Sequence, residues 1–239
     1  MIQFFTPDIA TSGVMPEDEA GHCIRVLRHK VGDEIVCTDG KGHRYACRIA
    51  DANPRHTELE ILSRESVPTH WGCRITLAVS PTKNSDRMEW MLEKAVEIGV
   101  DRIVPVKCAH SERKKANVER WRKVMVSAMK QSLKATLPEI CDMTDLNIFL
   151  SECGTGQKFV GYCDDSMKRL SMVCECSPQT DTTILIGPEG DFSADEIDEA
   201  LRSGFKAVTF GESRLRTETA ALFALQTVHI VNQMDAYNR

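Results

Sequence analysis

The chain has 239 residues, 42% hydrophobic and 27% charged, with 30 Lys and Arg against 35 Asp and Glu. That content supports one large or two small folded domains and argues against disorder. No stretch approaches the ~18 uninterrupted apolar residues of a membrane span, and the opening Met-Ile-Gln-Phe-Phe-Thr-Pro lacks the basic start and apolar core of a secretory leader, so the expectation is a soluble cytoplasmic protein with no membrane partner.

The first ~70 residues read as β-rich. A short helix is expected around 17–28, then strands at Glu34–Asp39, His43–Ile49 and Thr57–Leu62, with Asp39-Gly40-Lys41-Gly42 as a hairpin turn. Ser66–Gly72 reads as a linker. Beyond it strands alternate with helices. Arg74–Val79 is a strand, and Met88, Met91, Leu92, Ala95 and Ile98 recur at helical spacing up to a stop at Gly99. Arg102–Lys107 is a strand, 117–134 a basic helix, and Phe159–Tyr162 and Thr182–Ile186 are strands. Ser193 with Glu196 forms a capping box for a helix stopping at Gly204. Ala207–Phe210 is the last strand, and 217–234 a closing helix with Leu222, Leu225, Val228 and Val231 inward. This pattern predicts an α/β fold with a mostly parallel sheet, preceded by a small β domain. The expected division is 1–70 and 71–239.

A formal charge of −5 disfavours nucleic acid only until it is resolved along the chain. Residues 102–134 hold ten basic side chains against Glu112 and Glu119, while 135–201 hold three against fourteen acidic ones. A +8 block beside a −11 block can present a basic face to polyphosphate, or be a solvated helical surface. The ten cysteines include no Cys-x-x-Cys, so the expectation is buried reduced thiols and no metal site.

Two strand ends carry the chemistry. Ile184–Gly190 and Val208–Ala220 each run from apolar residues into a glycine and then polar residues. Ligands of open α/β sheets bind beyond the carboxyl ends of strands, where glycine allows main chain to approach them. No Gly-x-Gly-x-x-Gly or Walker-type loop is present to mark a dinucleotide or triphosphate site.

These motifs, in order, resemble the RsmE family of SPOUT-class methyltransferases. His22-Cys-Ile-Arg-Val-Leu-Arg28 with Val31-Gly-Asp33 resembles the family's N-terminal elements. Lys83, Asp86–Glu89 and Lys94-Ala-Val-Glu-Ile-Gly-Val100 resemble its central helix, with Pro105, Ser111–Arg113, Gln131-Ser132 and Pro138 following. Ile186-Gly-Pro-Glu-Gly190 and Leu215-Arg-Thr-Glu-Thr-Ala220 are the most diagnostic. Asp191 departs from the family's usual second glycine, Ser127 and Lys134 stand where Glu and Arg are expected, and Leu-Gly-x-Arg-Ile-Leu-Arg appears as Phe210-Gly-Glu-Ser-Arg-Leu-Arg216.

The resemblance implies a PUA-like β-barrel, a SPOUT α/β domain with a trefoil knot, and a homodimer. It implies methylation of uridine N3 in small-subunit (16S) ribosomal RNA, free or in the small ribosomal subunit, with S-adenosylmethionine as methyl donor and no metal. Ile186, Gly187, Gly190, Phe210, Gly211 and Leu215 are expected around the cofactor. Arg216 is the expected charge stabiliser, with Glu189 or Glu218 as base or loop-fixing group. His22, Arg25, Arg28, Lys83, Arg113 and Lys114 are expected RNA contacts. The alternatives are a SPOUT enzyme acting on another RNA such as tRNA, and a non-catalytic ribosome-assembly factor.

Overall fold

The computed structural model describes residues 2–163 and 169–237. Contacts divide the chain into two compact units, Met1–His70 with Met125–Leu137, and Trp71–Val124 with Pro138–Arg239.

The first unit contains β1 (Gln3–Phe5), α1 (Ile9–Ser12), α2 (Glu17–Gly21), β2 (Glu34–Thr38), β3 (His43–Asp51) and β4 (Glu58–Ser66). Its sheet runs β1-β2-β3-β4, with β1 parallel to β2 and the other pairs antiparallel. Alternate residues of β3 face inward, so Tyr45, Cys47 and Ile49 join Phe4, Ile9, Ile35 and Cys37 in one apolar cluster. Burial pushes the Asp39 carboxyl up, but hydrogen bonds from Lys41 N (2.7 Å), His43 Nδ1 (2.8 Å), His43 N (3.2 Å) and Tyr45 OH (3.1 Å) outweigh it, and its pKa lies below the ordinary aspartate value. The hairpin is thereby locked by one side chain. Residues 17–28 are not one α-helix: α2 passes into a π-helical turn, His22–Val26. Segment 125–137 belongs to this unit through an ion pair of Lys130 with Glu19 and bonds such as Leu137 N to Gly40 O.

The second unit contains β5 (Ile75–Val79), α3 (Ser85–Ile98), β6 (Arg102–Lys107), α4 (Val118–Gln131, whose end lies in the first unit), β7 (Glu139–Ile140) and β8 (Thr144–Asp145). It continues with α5 (Leu146–Glu152), β9 (Gln157–Gly161), β10 (Leu170–Ser171), α6 (Met172–Glu175), β11 (Thr182–Ile186), α7 (Ala194–Arg202), β12 (Lys206–Thr209) and α8 (Thr217–Tyr237). The sheet order is β10-β12-β9-β11-β5-β6-β7, with β8 on β6, and every pair is parallel. β11 is buried at all five positions, as a central strand covered on both faces must be.

The ends of the helices follow local chemistry. Asn84 caps α3 by accepting from Asp86 N and Arg87 N, and the Ser193–Glu196 capping box starts α7. Gly99 ends α3 at φ 128°, and a Cβ there would lie 2.7 Å from Trp71 and 2.9 Å from His229, so only glycine fits. On α8, Leu225 and Val228 are buried as expected, but Leu222 and Val231 are half-buried. The inner face is completed by the small Ala221 and Ala224 and by His229 and Asn232, whose side chains hydrogen-bond Gly99 O and Gln179 N. No disulfide joins the ten cysteines, all of them among the described residues, but only Cys23, Cys37, Cys47, Cys108 and Cys176 are buried. Cys163 and Cys174 are exposed, the first just beyond β9 and the second on the short helix α6, so the expectation of uniformly buried thiols fails at the element ends.

Candidate active site

Strands β12, β9 and β11 lie side by side and point the same way, so the chain leaves all three at one edge of the sheet. After β12 the chain returns past β9 to start α8, which packs on β11 and β5. The segments leaving these strands, 161–163, 187–191 and 210–216, enclose a cavity of about 360 Å³. It lies where ligands of parallel sheets bind, within the ~300–1,000 Å³ range of small-molecule sites.

Of the residues expected around a cofactor, Ile186, Gly187, Phe210, Gly211 and Leu215 line this cavity. Gly190 is not among the lining residues; it approaches His110, where a Cβ would lie 3.0 Å from His110 Cβ. Gly187 has no room for a side chain, since a Cβ would meet the Phe192 ring at 2.8 Å. Apolar Ile186, Val208, Phe210 and Leu215 alternate with open main chain, a lining suited to a flat heterocycle bearing a polar edge.

The loop after β11 is tied down from several sides. Ser80 N donates to Ile186 O (3.0 Å), Thr217 Oγ1 to Gly187 O (3.1 Å), Lys83 N to Glu189 Oε1 (2.9 Å), and His110 Nδ1 to Asp191 O (3.0 Å). Beneath it, burial pushes the Cys108 thiol up to about 12, so it remains a packing group and no nucleophile.

The three expected catalytic residues separate. Arg216 lines the cavity at the N-cap position of α8, where its carbonyl accepts Ala220 N, and its exposed guanidinium has no ion-pair partner among the described residues. Glu189 also lines the cavity, although one oxygen is occupied by Lys83 N. Glu218 points away: its side chain is 8% exposed and faces Arg87 Nε at 3.8 Å.

The expected RNA contacts separate too. His22, Arg25 and Arg28 are exposed on or just after the π-helical turn of the first unit. In the second unit Lys114 is exposed, Lys83 Nζ pairs with Glu112 at 2.7 Å, and Arg113 is spent on Thr82 O, Lys83 O and Ser85 Oγ. Part of the basic block is neutralised. Arg102 meets Glu139, Lys107 meets Asp145, Arg120 meets Glu89, and Lys130 meets Glu19. Lys114, Lys115, Arg122 and Lys123 remain exposed without an ion pair among the described residues.

Sequence reasoning missed Gly161, Tyr162 and Arg169, which also line the cavity. The signal was present in Phe159-Val-Gly-Tyr162, a third apolar strand running into glycine, but only its strand character was read.

The RNA methyltransferase domain family matches residues 69–229, and the RNA methyltransferase PUA domain family matches 16–62. The chain is 31% identical to the ribosomal RNA small subunit methyltransferase E of Mesomycoplasma hyopneumoniae, over 84% of this chain and 87% of that protein. Among solved structures, a probable rRNA-methyltransferase from Porphyromonas gingivalis has a TM-score of 0.93 at 42% identity, covering 98% of this chain and 100% of that one. A ribosomal RNA small subunit methyltransferase E from Neisseria gonorrhoeae, bound to S-adenosyl methionine, has a TM-score of 0.82 at 28% identity, covering 97% and 98%.

Proposed function

The chain belongs to the ribosomal RNA small subunit methyltransferase E family, and from that premise we propose that it methylates N3 of a uridine in small-subunit (16S) ribosomal RNA using S-adenosylmethionine. The observation carrying this reading is the cavity beyond β12, β9 and β11, in a chain alignable over nearly its whole length with a relative that binds this cofactor.

The residues present fit the cofactor. Ile186, Phe210 and Leu215 would supply apolar walls, and the main chain of Gly187 and Gly211 would supply hydrogen-bonding edges. When bound, S-adenosylmethionine supplies a sulfonium methyl, already strongly electrophilic, so the protein mainly orients the acceptor and manages one proton. Uracil N3 is a weak nucleophile until its proton leaves, and the developing charge spreads onto the flanking carbonyl oxygens. Arg216, on the cavity lining, would stabilise that charge. Glu189, which lines the cavity, would then be the proton acceptor, and Glu218, facing Arg87, would fix the start of α8.

The remaining elements of the reading follow the family. Residues 1–70 act as the PUA-like RNA-binding domain, with His22, Arg25 and Arg28 toward phosphate, and 71–239 as the methyltransferase domain with its trefoil knot. The protein works as a cytoplasmic homodimer. Phe223, Ile230, Met234 and Tyr237, exposed along one face of α8, support a second copy as partner. Among the described residues no helix is long and apolar enough to cross a membrane.

Deleting the protein from its host and mapping modified ribosomal RNA by mass spectrometry should remove one N3-methyluridine from the small-subunit RNA. An unchanged map would overturn the reading, and a methyl lost from tRNA instead would move the substrate.

A further inference from the structure

Asp191 belongs to no expected set of catalytic or binding residues, yet it joins three loops at the cavity. We propose that it is a positioning residue for the cofactor, holding the turn after β11 in its binding shape before S-adenosylmethionine arrives. The inference rests on the methyltransferase reading above.

Asp191 adopts φ 61°, a left-handed conformation that non-glycine residues take up rarely and that Asp and Asn tolerate best. Here the side chain gives the conformation a purpose. Oδ2 accepts Cys163 N at 3.2 Å, fixing the exit of β9, and Oδ1 accepts Phe192 N at 2.9 Å. The main chain completes the junction: Asp191 N donates to Pro188 O at 2.9 Å, closing the turn, and Asp191 O accepts His110 Nδ1 at 3.0 Å. Phe192 in turn packs its ring against Gly187, so the Oδ1 bond also bears on the residue whose main chain forms the cavity wall. Glycine at 191 would keep the backbone conformation and lose both carboxylate bonds. A site whose main chain is already ordered gives up less entropy on binding, and the gain appears as affinity.

Because glycine adopts this conformation freely, Asp191→Gly removes the side-chain bonds without straining the turn, and Asp191→Asn keeps one oxygen acceptor of two. Calorimetric titration of the full-length protein with S-adenosylmethionine should show Kd raised about fivefold to tenfold by D191G and to an intermediate value by D191N. The loss should fall mainly on Kd and on KM for the cofactor, with a smaller fall in kcat at saturation, and the Cys163 amide should exchange faster in deuterium oxide. D191G binding within twofold of wild type, or D191N indistinguishable from wild type while D191G is weak, would overturn the proposal alone. Wild-type protein that binds no S-adenosylmethionine would overturn the methyltransferase reading and this inference with it.

Discussion

Residues 187–191, after β11, are held by Thr217, Lys83, His110 and Asp191's own carboxylate, whereas among the described residues the hydrogen bonds of 210–216, after β12, are local ones at Gly211 and Arg216. Both segments line the same cavity. One wall is therefore built by the fold, and the other keeps exposed Ser213, Arg214 and Arg216 on a segment that can adjust to what enters. A methyl-transfer site needs both. Both segments would offer main chain and apolar surface to the cofactor; the fixed one gains from rigidity, and the exposed cations of the other, which would meet a large RNA, gain from freedom to move.

The largest test of that contrast is Arg216→Ala. Turnover should fall at least about 100-fold, the scale of losing one transition-state charge partner, while cofactor Kd stays within about threefold. Steady-state methyl transfer paired with calorimetry checks it, and parallel losses in both would mean that Arg216 belongs to the fixed wall. Next comes Gly187→Ala. A Cβ 2.8 Å from the Phe192 ring should cost about 2 kcal/mol of stability in urea denaturation, as overpacking does, and weaken cofactor binding. Thr217→Val removes one bond to Gly187 O and should cost about 1 kcal/mol. The smallest effect belongs to the looser segment, where Ser213→Ala should change stability by less than ~0.5 kcal/mol. A Ser213 variant as damaging as the Thr217 variant would erase the difference between the two walls.

The sequence discloses the site and the fold unevenly. Strand ends running into glycine at Ile186-Gly187 and Phe210-Gly211 mark the cavity, because turn chemistry is local. The Ser193–Glu196 box and the Asp39–Gly42 hairpin are legible for the same reason. What is lost is pairing between distant residues. Nothing near Arg120, Arg102 or Lys107 announces that Glu89, Glu139 and Asp145 will neutralise them, so the basic block looks more available in the sequence than it is in the molecule. Arg113 likewise reads as a phosphate ligand but is consumed by the carbonyls of Thr82 and Lys83. Helix α5 escaped because Leu-Asn-Ile-Phe-Leu-Ser-Glu is too short for its period to stand out. Glu218 and Glu189 look equivalent as sequence, and only the start of α8 beside α3 turns one of them away from the cavity.

The place of β11 in the sheet also has a consequence for how the chain is made. Its residues, 182–186, sit between β5 at 75–79 and β9 at 157–161, both synthesised earlier. A nascent chain that has emerged only as far as β9 holds the two flanks of the sheet with the middle missing, and its central apolar surface stays uncovered until translation nearly ends. Such long-range closure slows folding and prolongs exposure to aggregation, so any chain cut short before residue 186 should behave as a client of chaperones rather than as a smaller enzyme.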